Sequence, residues 1–149
     1  MHHMLGSGII HCAGEAFDKA VVSMNAARGA AALSSLGLAE NDAVATLLRN
    51  DTRMFEVQAA AQLGLYYVPI NWHFKHDEAG YILADSGAKA LIVHADLLDQ
   101  VKDGIPQGLP VIAVPMPDFI RDAYDIDVAA SAPPAGAAVW AEWIAGFDP

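Results

Sequence analysis

From about Glu15 to Leu36 the apolar side chains recur at steps of three and four: Phe17, Val21, Met24, Leu33 and Leu36, with alanine between them. That period is one face of an α-helix, and Gly37 follows where a left-handed closing residue is wanted. A short first strand precedes it, and Asn41-Asp42 then turns the chain into the apolar run Ala43 to Leu48, of strand length. Asn50, Asp51 or Thr52 caps the next helix, which is apolar around much of its girth to Leu63 and stops at Gly64. Leu65 to Ile70 is a strand rich in aromatic and β-branched residues. Asp77 caps a helix through Tyr81, Ile82 and Ala84 that stops at Ser86-Gly87. Ala90 to Val93 is a strand, Asp96 caps a short helix ending near Gly104, and Val111 to Val114 is a strand bounded by Pro110 and Pro115.

Strand starts near residues 44, 66, 90 and 111, each followed by one helix, are the signature of βαβ units. Nearly continuous apolar strands belong to a sheet covered on both faces. The expected fold is therefore α/β: a three-layer αβα arrangement around a mainly parallel sheet, spanning 9–115. Residues 116–138, with Pro117, Pro133, Pro134 and Gly136 among acids and alanines, read as an acidic loop. Residues 139–149 hold a short helix with Trp140, Trp143, Ile144 and Phe147 on one face. An unburied patch of this kind makes the end at Pro149 read as a cut. At the other end, residues 1–8 (MHHMLGSG) read as a tag remnant and not as a signal peptide.

Length adds that 149 residues suit one domain. Residues 1–74 hold four basic and six acidic side chains, residues 75–149 four and twelve, for a net charge of -10. A nucleic-acid surface is excluded on that balance, because phosphate binding needs clustered cations. Hydrophobic residues make up 54% and the mean hydropathy is +0.29, an apolar excess that points to self-association or to a piece of a larger protein. No run approaches the roughly 20 apolar residues of a membrane span. One cysteine, Cys12, gives no internal disulfide, so a reducing cytoplasm is the expected compartment.

Candidate chemistry is thin. No G-x-x-x-x-G-K-[ST] phosphate loop occurs, and Gly6-Ser7-Gly8 starts like a dinucleotide fingerprint without its third glycine. None of the six serines lies in G-x-S-x-G. His11 and Cys12 are adjacent on a strand and so point to opposite faces, leaving Cys12 as a small buried apolar residue. His73 and His76, followed by Asp77 and Glu78, have metal-ligand spacing, but Lys75 lies among them and a helix N-terminus explains the two acids. His94, at a strand's carboxyl end, stands where ligands gather in open α/β sheets. Asp118, Asp122, Asp125 and Asp127 are expected in a solvated loop and not as an acid–base pair. From the residues alone, no catalytic, cofactor-binding or metal site is assigned. A stand-alone small-molecule binding or regulatory module using His94 is one reading, and a His-based metal hydrolase a weaker one.

The stretch Leu36 to Val93 resembles the N-terminal part of the adenylate-forming acyl-CoA synthetases, the AMP-binding acid–thiol ligases. The residues that carry this are Gly37-Leu38 and Asn41-Asp42 before the strand, Asn50 before the buried helix, the run LGLYYVPINW (Leu63 to Trp72), and DEAGYILADSGAKALIV (Asp77 to Val93). Asn71-Trp72-His73 is most similar to fatty acyl-CoA ligases. The resemblance implies ATP-dependent adenylation of a carboxylate followed by thioester formation with coenzyme A, with ATP, Mg and CoA as the parent's cofactors. The family's Ser/Thr/Gly-rich phosphate loop ending in lysine, its adenine- and ribose-binding motifs and its C-terminal lysine are not in this sequence. The expectation is thus an N-terminal fragment that binds no cofactor, is inactive alone, and has the remainder of the parent ligase as partner.

Overall fold

The computed structural model describes residues 8–149. All of the expected tag remnant except Gly8 lies outside the described residues. Two strands, β1 (Ile9–Cys12) and β2 (Glu15–Asp18), form an antiparallel hairpin apart from the main sheet. Its turn residues Ala13 and Gly14 sit at φ 49° and 85°, the conformation a two-residue hairpin turn requires. The first helix therefore begins later than its apolar period suggests: α1 spans Lys19–Ser35, and the Asp18 carboxylate caps it by accepting from the Ala20 N–H at 2.8 Å. Phe17 belongs to the hairpin, with its ring 5.7 Å from that of Phe119.

The alternation then runs as the spacing predicts: β3 (Ala43–Leu47), α2 (Thr52–Ala61), β4 (Tyr66–Pro69), α3 (His76–Ser86), β5 (Ala88–His94), α4 (Ala95–Val101) and β6 (Val111–Val114). With β7 (Ala138–Val139) these strands make one parallel sheet in the order β4-β3-β5-β6-β7. Alternate residues of each strand serve opposite layers. Val44, Leu48, Ala90 and Ile92 meet Leu33 of α1 and Val57 of α2. Ala45, Leu47, Leu91 and Val93 meet Leu83 of α3 and Val101 of α4. Both faces are covered, which is why these strands read as continuous apolar runs.

Two caps differ from expectation. Asp77 lies inside the first turn of α3, whose cap is Lys75, with the Glu78 carboxylate accepting from the Lys75 backbone N–H at 2.8 Å. Asp96 likewise lies inside the first turn of α4, whose N-cap position is held by His94 without a side-chain cap hydrogen bond, and its carboxylate pairs with an arginine.

Residues 116–138 are not an open loop. They carry two short helices, α5 (Asp118–Ala123) and α6 (Val128–Ser131), anchored by buried Met116, Ile120 and Ser131. The apolar patch of 139–149 is also not left bare. In α7 (Trp140–Ile144) the Trp140 side chain is 1% exposed and Ile144 is buried, and both join the cluster under α1 and α2, with Trp143 and Phe147 packed against it. Trp140 fits because α1 has a glycine there: a Cβ on Gly29 would lie 2.8 Å from the indole.

Candidate functional site

In this sheet β3 has β4 on one side and β5 on the other, so the direction of chain growth reverses between β3 and β5. The crevice at their carboxyl ends is where open parallel sheets hold ligands. Here it is lined by Arg49, Asn50 and Asp51 after β3, and by His94 and Asp96 at and after the end of β5.

These side chains close on one another. His94, fully buried, accepts from the Arg49 backbone N–H through Nδ1 at 2.9 Å, which puts its proton on Nε2, 2.9 Å from Asp51 Oδ2. A histidine with both ring nitrogens engaged by protein has no lone pair for a metal or for a substrate proton. The alternative reading in which His94 receives a ligand finds no support in this geometry. Asp51 also meets Arg53 at 3.1 Å. Burial pushes its carboxyl up, but the His94 hydrogen bond and the Arg53 charge outweigh that and hold it below its ordinary value.

Arg49 is the residue that sequence reasoning passed over. Its Nε and Nη2 both donate to Asp96 Oδ2, at 3.2 and 2.7 Å. The guanidinium lies 4.2 Å from the Trp72 ring centre and 4.8 Å from that of Tyr124, so it rests against both rings. The Trp72 and Tyr124 rings meet edge to face at 5.6 Å. This three-residue cluster ties the 116–138 segment to the loops after β3 and β4. The one available signal was an arginine directly after an apolar strand, a position where its charge needs a buried partner.

The remaining candidates do not converge. His73 stacks on Trp72 at 3.5 Å, and His76 lies 3.4 Å from its neighbour Asp77. Among the described residues no three His, Cys, Asp or Glu side chains are placed to hold a metal ion. Arg121 pairs with Asp118 and Asp122, Asp127 caps α6, and all of these acids are exposed. Cys12 is half-buried, not buried, and its Sγ donates to the Asn50 carbonyl at 3.3 Å. Burial, with Asp51 nearby, raises its thiol pKa, which disfavours the nucleophilic thiolate.

A second buried polar group joins three helices. Glu56 of α2 accepts from Asn25 Nδ2 of α1 at 2.9 Å and from the Trp140 indole N–H of α7 at 2.7 Å. Burial pushes this carboxyl above its ordinary value, against the pull of those two donors. A raised folded pKa means that the native state binds the Glu56 proton at a pH where the unfolded chain, near 4.5, has released it. Stability therefore rises as pH falls from neutral toward 4.5, with no further gain below. Asp51 has the opposite sign, and its contribution is lost only at pH below 3.8. We expect the stability of the unmodified chain relative to Glu56→Gln to grow as pH falls through the upper window. Urea midpoints of both proteins at several pH values measure it, and parallel curves would refute it.

Comparison with known proteins places the chain. The family model described as AMP-binding enzyme matches residues 20–141. A long-chain-fatty-acid–CoA ligase of Mycobacterium tuberculosis, FadD13, is 41% identical over 69 residues, covering 46% of this chain and 14% of its own length. A fatty acid–[acyl-carrier-protein] ligase of Streptomyces coeruleorubidus, ScoC, is 31% identical over 100 residues, covering 66% of this chain and 19% of its own. Among solved structures, a benzoate CoA ligase from Burkholderia xenovorans superposes with a TM-score of 0.72 at 19% identity, over 90% of this chain and 24% of that one. The anthranilate CoA ligase AuaEII, in complex with anthranoyl-AMP, gives 0.71 at 22% identity over the same shares. The two structural likenesses speak to the fold, and the chain spans a quarter or less of each of these proteins.

Proposed function

The chain belongs to the AMP-binding enzyme family, and from that premise we propose that it is the N-terminal α/β part of an ATP-dependent acyl-CoA synthetase, inactive by itself. The observation that supports this is the family match over 20–141 in a chain that spans 14% to 24% of its relatives. In the parent, the substrate carboxylate attacks the α-phosphorus of ATP and expels pyrophosphate. The coenzyme A thiol then attacks the acyl-adenylate carbonyl and expels AMP.

The residues present do not fit ATP or Mg. The described chain has no Gly-rich loop ending in lysine and no convergent carboxylates, and the crevice at the strand ends is filled by its own ion pairs. No step of the reaction is therefore assigned to a side chain of this segment. Its contribution is a sheet layer and the rigid Arg49–Asp96 and Asp51–His94 ties at the strand ends. We place the parent in the cytoplasm on the strength of the single cysteine; no helix among the described residues is long and apolar enough to cross a membrane. Fatty acids are the proposed substrate class, on the likeness of Asn71-Trp72-His73 and on the two fatty-acid ligases above.

ATP–pyrophosphate exchange with a panel of fatty and aromatic acids tests the proposal. The purified 149-residue chain is expected to show none, and the chain extended through the parent's phosphate loop and C-terminal lysine is expected to exchange. Exchange by the short chain alone would overturn its inactivity. An extended chain that stays inert with every acid would overturn the ligase assignment.

A further inference from the structure

Beside the strand-end crevice lies a groove of about 830 Å³ that the ligase reading does not use. One side is α4, the floor is Val111 and Ala113 of β6, and the far wall is the small-residue segment 129–137, from α6 to the start of β7. The volume lies within the roughly 300–1,000 Å³ of small-molecule sites. Apart from Asp99 of α4 and Lys102 just after it, which pair with each other, its lining holds one ionisable side chain, Asp96.

Asp96 is only half satisfied. Oδ2 takes both hydrogen bonds from Arg49, while Oδ1 has no partner and exposes less than 1 Å² of surface; the side chain as a whole is 6% exposed. A buried carboxylate oxygen without a donor costs free energy that the Arg49 pair does not recover, because that pair loads the other oxygen. What the site lacks is one hydrogen-bond donor, adjacent to an apolar groove. The charge of the donor also follows. Arg49 already neutralises Asp96 and Lys102 neutralises Asp99, so a cation would bring an uncompensated charge into a site walled by alanine, proline, leucine and valine.

We propose that this groove is a binding site for a neutral small molecule with an apolar body and one N–H or O–H group, the donor completing the Asp96 carboxylate at Oδ1. Because Oδ1 is covered, binding is coupled to a small local displacement that uncovers it.

Indole supplies that chemistry, and 1-methylindole has the same shape without the donor. Titrated into the isotope-labelled 149-residue chain, indole is expected to give saturable amide shifts confined to 95–102, 111–113 and 129–137. The methylated compound is expected to bind at least about tenfold more weakly, since a site built around a hydrogen bond rejects the analogue lacking it. Ala130→Leu narrows the groove from the exposed helix opposite Asp96 and leaves the Arg49 pair untouched. It is expected to abolish the shifts while the rest of the spectrum stays in place. Equal affinity for the two indoles, shifts that survive Ala130→Leu, or no saturable binding at all would each overturn the proposal.

Discussion

Gly104→Ala is expected to cost about 3 kcal/mol or more of stability, lowering the urea midpoint by about one molar or more. A Cβ at this position would lie 2.0 Å from the carbonyl oxygen of His76, at the start of α3, and 2.8 Å from its carbon. Gly80, one turn further along α3, meets the same loop from the other side, since a Cβ there would lie 2.7 Å from the Gly104 carbonyl oxygen. The turn after α4 and the first turns of α3 thus touch backbone to backbone. No side-chain rotation relieves such a clash, so the helix or the turn must move and pull Leu83 or Val101 out of the core between sheet and helices. Gly146→Ala is the matched control: its nearest new contact is at 3.5 Å, an ordinary van der Waals distance, and it is expected to be close to neutral. Comparable losses in the two variants would show that the packing argument is wrong and that Gly104 matters for another reason.

Trp140→Ala is expected to cost about 3–5 kcal/mol, the usual range for removing a fully buried large aromatic side chain. The loss has two parts that a second variant separates. One is the cavity left between Gly29 of α1 and the sheet, and the other is the unpairing of Glu56 Oε2, which has the indole N–H as donor at 2.7 Å. Trp140→Phe keeps most of the bulk and removes only the donor, so about 1–3 kcal/mol is expected from the unmet carboxylate oxygen. The pH dependence separates them further. Without the indole donor, Glu56 is held less strongly in its charged form, so the gain in stability on acidification should be steeper in Trp140→Phe than in the unmodified chain. Denaturation curves for both variants at neutral and mildly acidic pH decide the matter. A Trp140→Ala protein as stable as the parent would mean that α7 is not part of the core.

The local signals along the chain were strong where packing and propensity agree. Val44 and Ile92 lie in runs apolar at every position because the strands holding them are covered on both faces. Gly87 ends α3 by adopting positive φ, at 62°, and Gly64, at 125°, lies in the turn that follows α2. The strand starts were therefore readable to within about two residues. The start of α1 was misread because Phe17 fits a helical period while its neighbours pair with Ile9 to Cys12; the Ala13-Gly14 turn is the feature that decides between them. The 116–138 segment looked like a loop because its helices are short, its polar residues many and its anchors few. Met116 and Ile120 are nonetheless buried.

The strand-end cluster shows the same division. His94 was picked out because parallel sheets gather ligands at strand ends, and that placement is correct; its partners were invisible. Asp51, read as a helix cap, is that and also the acceptor for His94, 43 residues away. Asp96 was read as another cap and is instead the counterion of Arg49, 47 residues before it. Tyr124 and Trp72 are far apart in the sequence and meet edge to face only in the folded chain.

By itself the sequence determined the α/β class, the order of the elements from α1 to β6 and the family resemblance, because these rest on periodicity, turn residues and short-range motifs that act over a few neighbours. Tertiary structure decided which polar groups are satisfied: that His94 is closed to ligands, that Trp140 and Glu56 knit three helices together, and that Asp96 keeps one oxygen without a donor. Those outcomes depend on distances between residues far apart in the chain. A hydrogen bond or a buried charge has its free energy from that geometry and from exclusion of water, neither of which is encoded in local spacing.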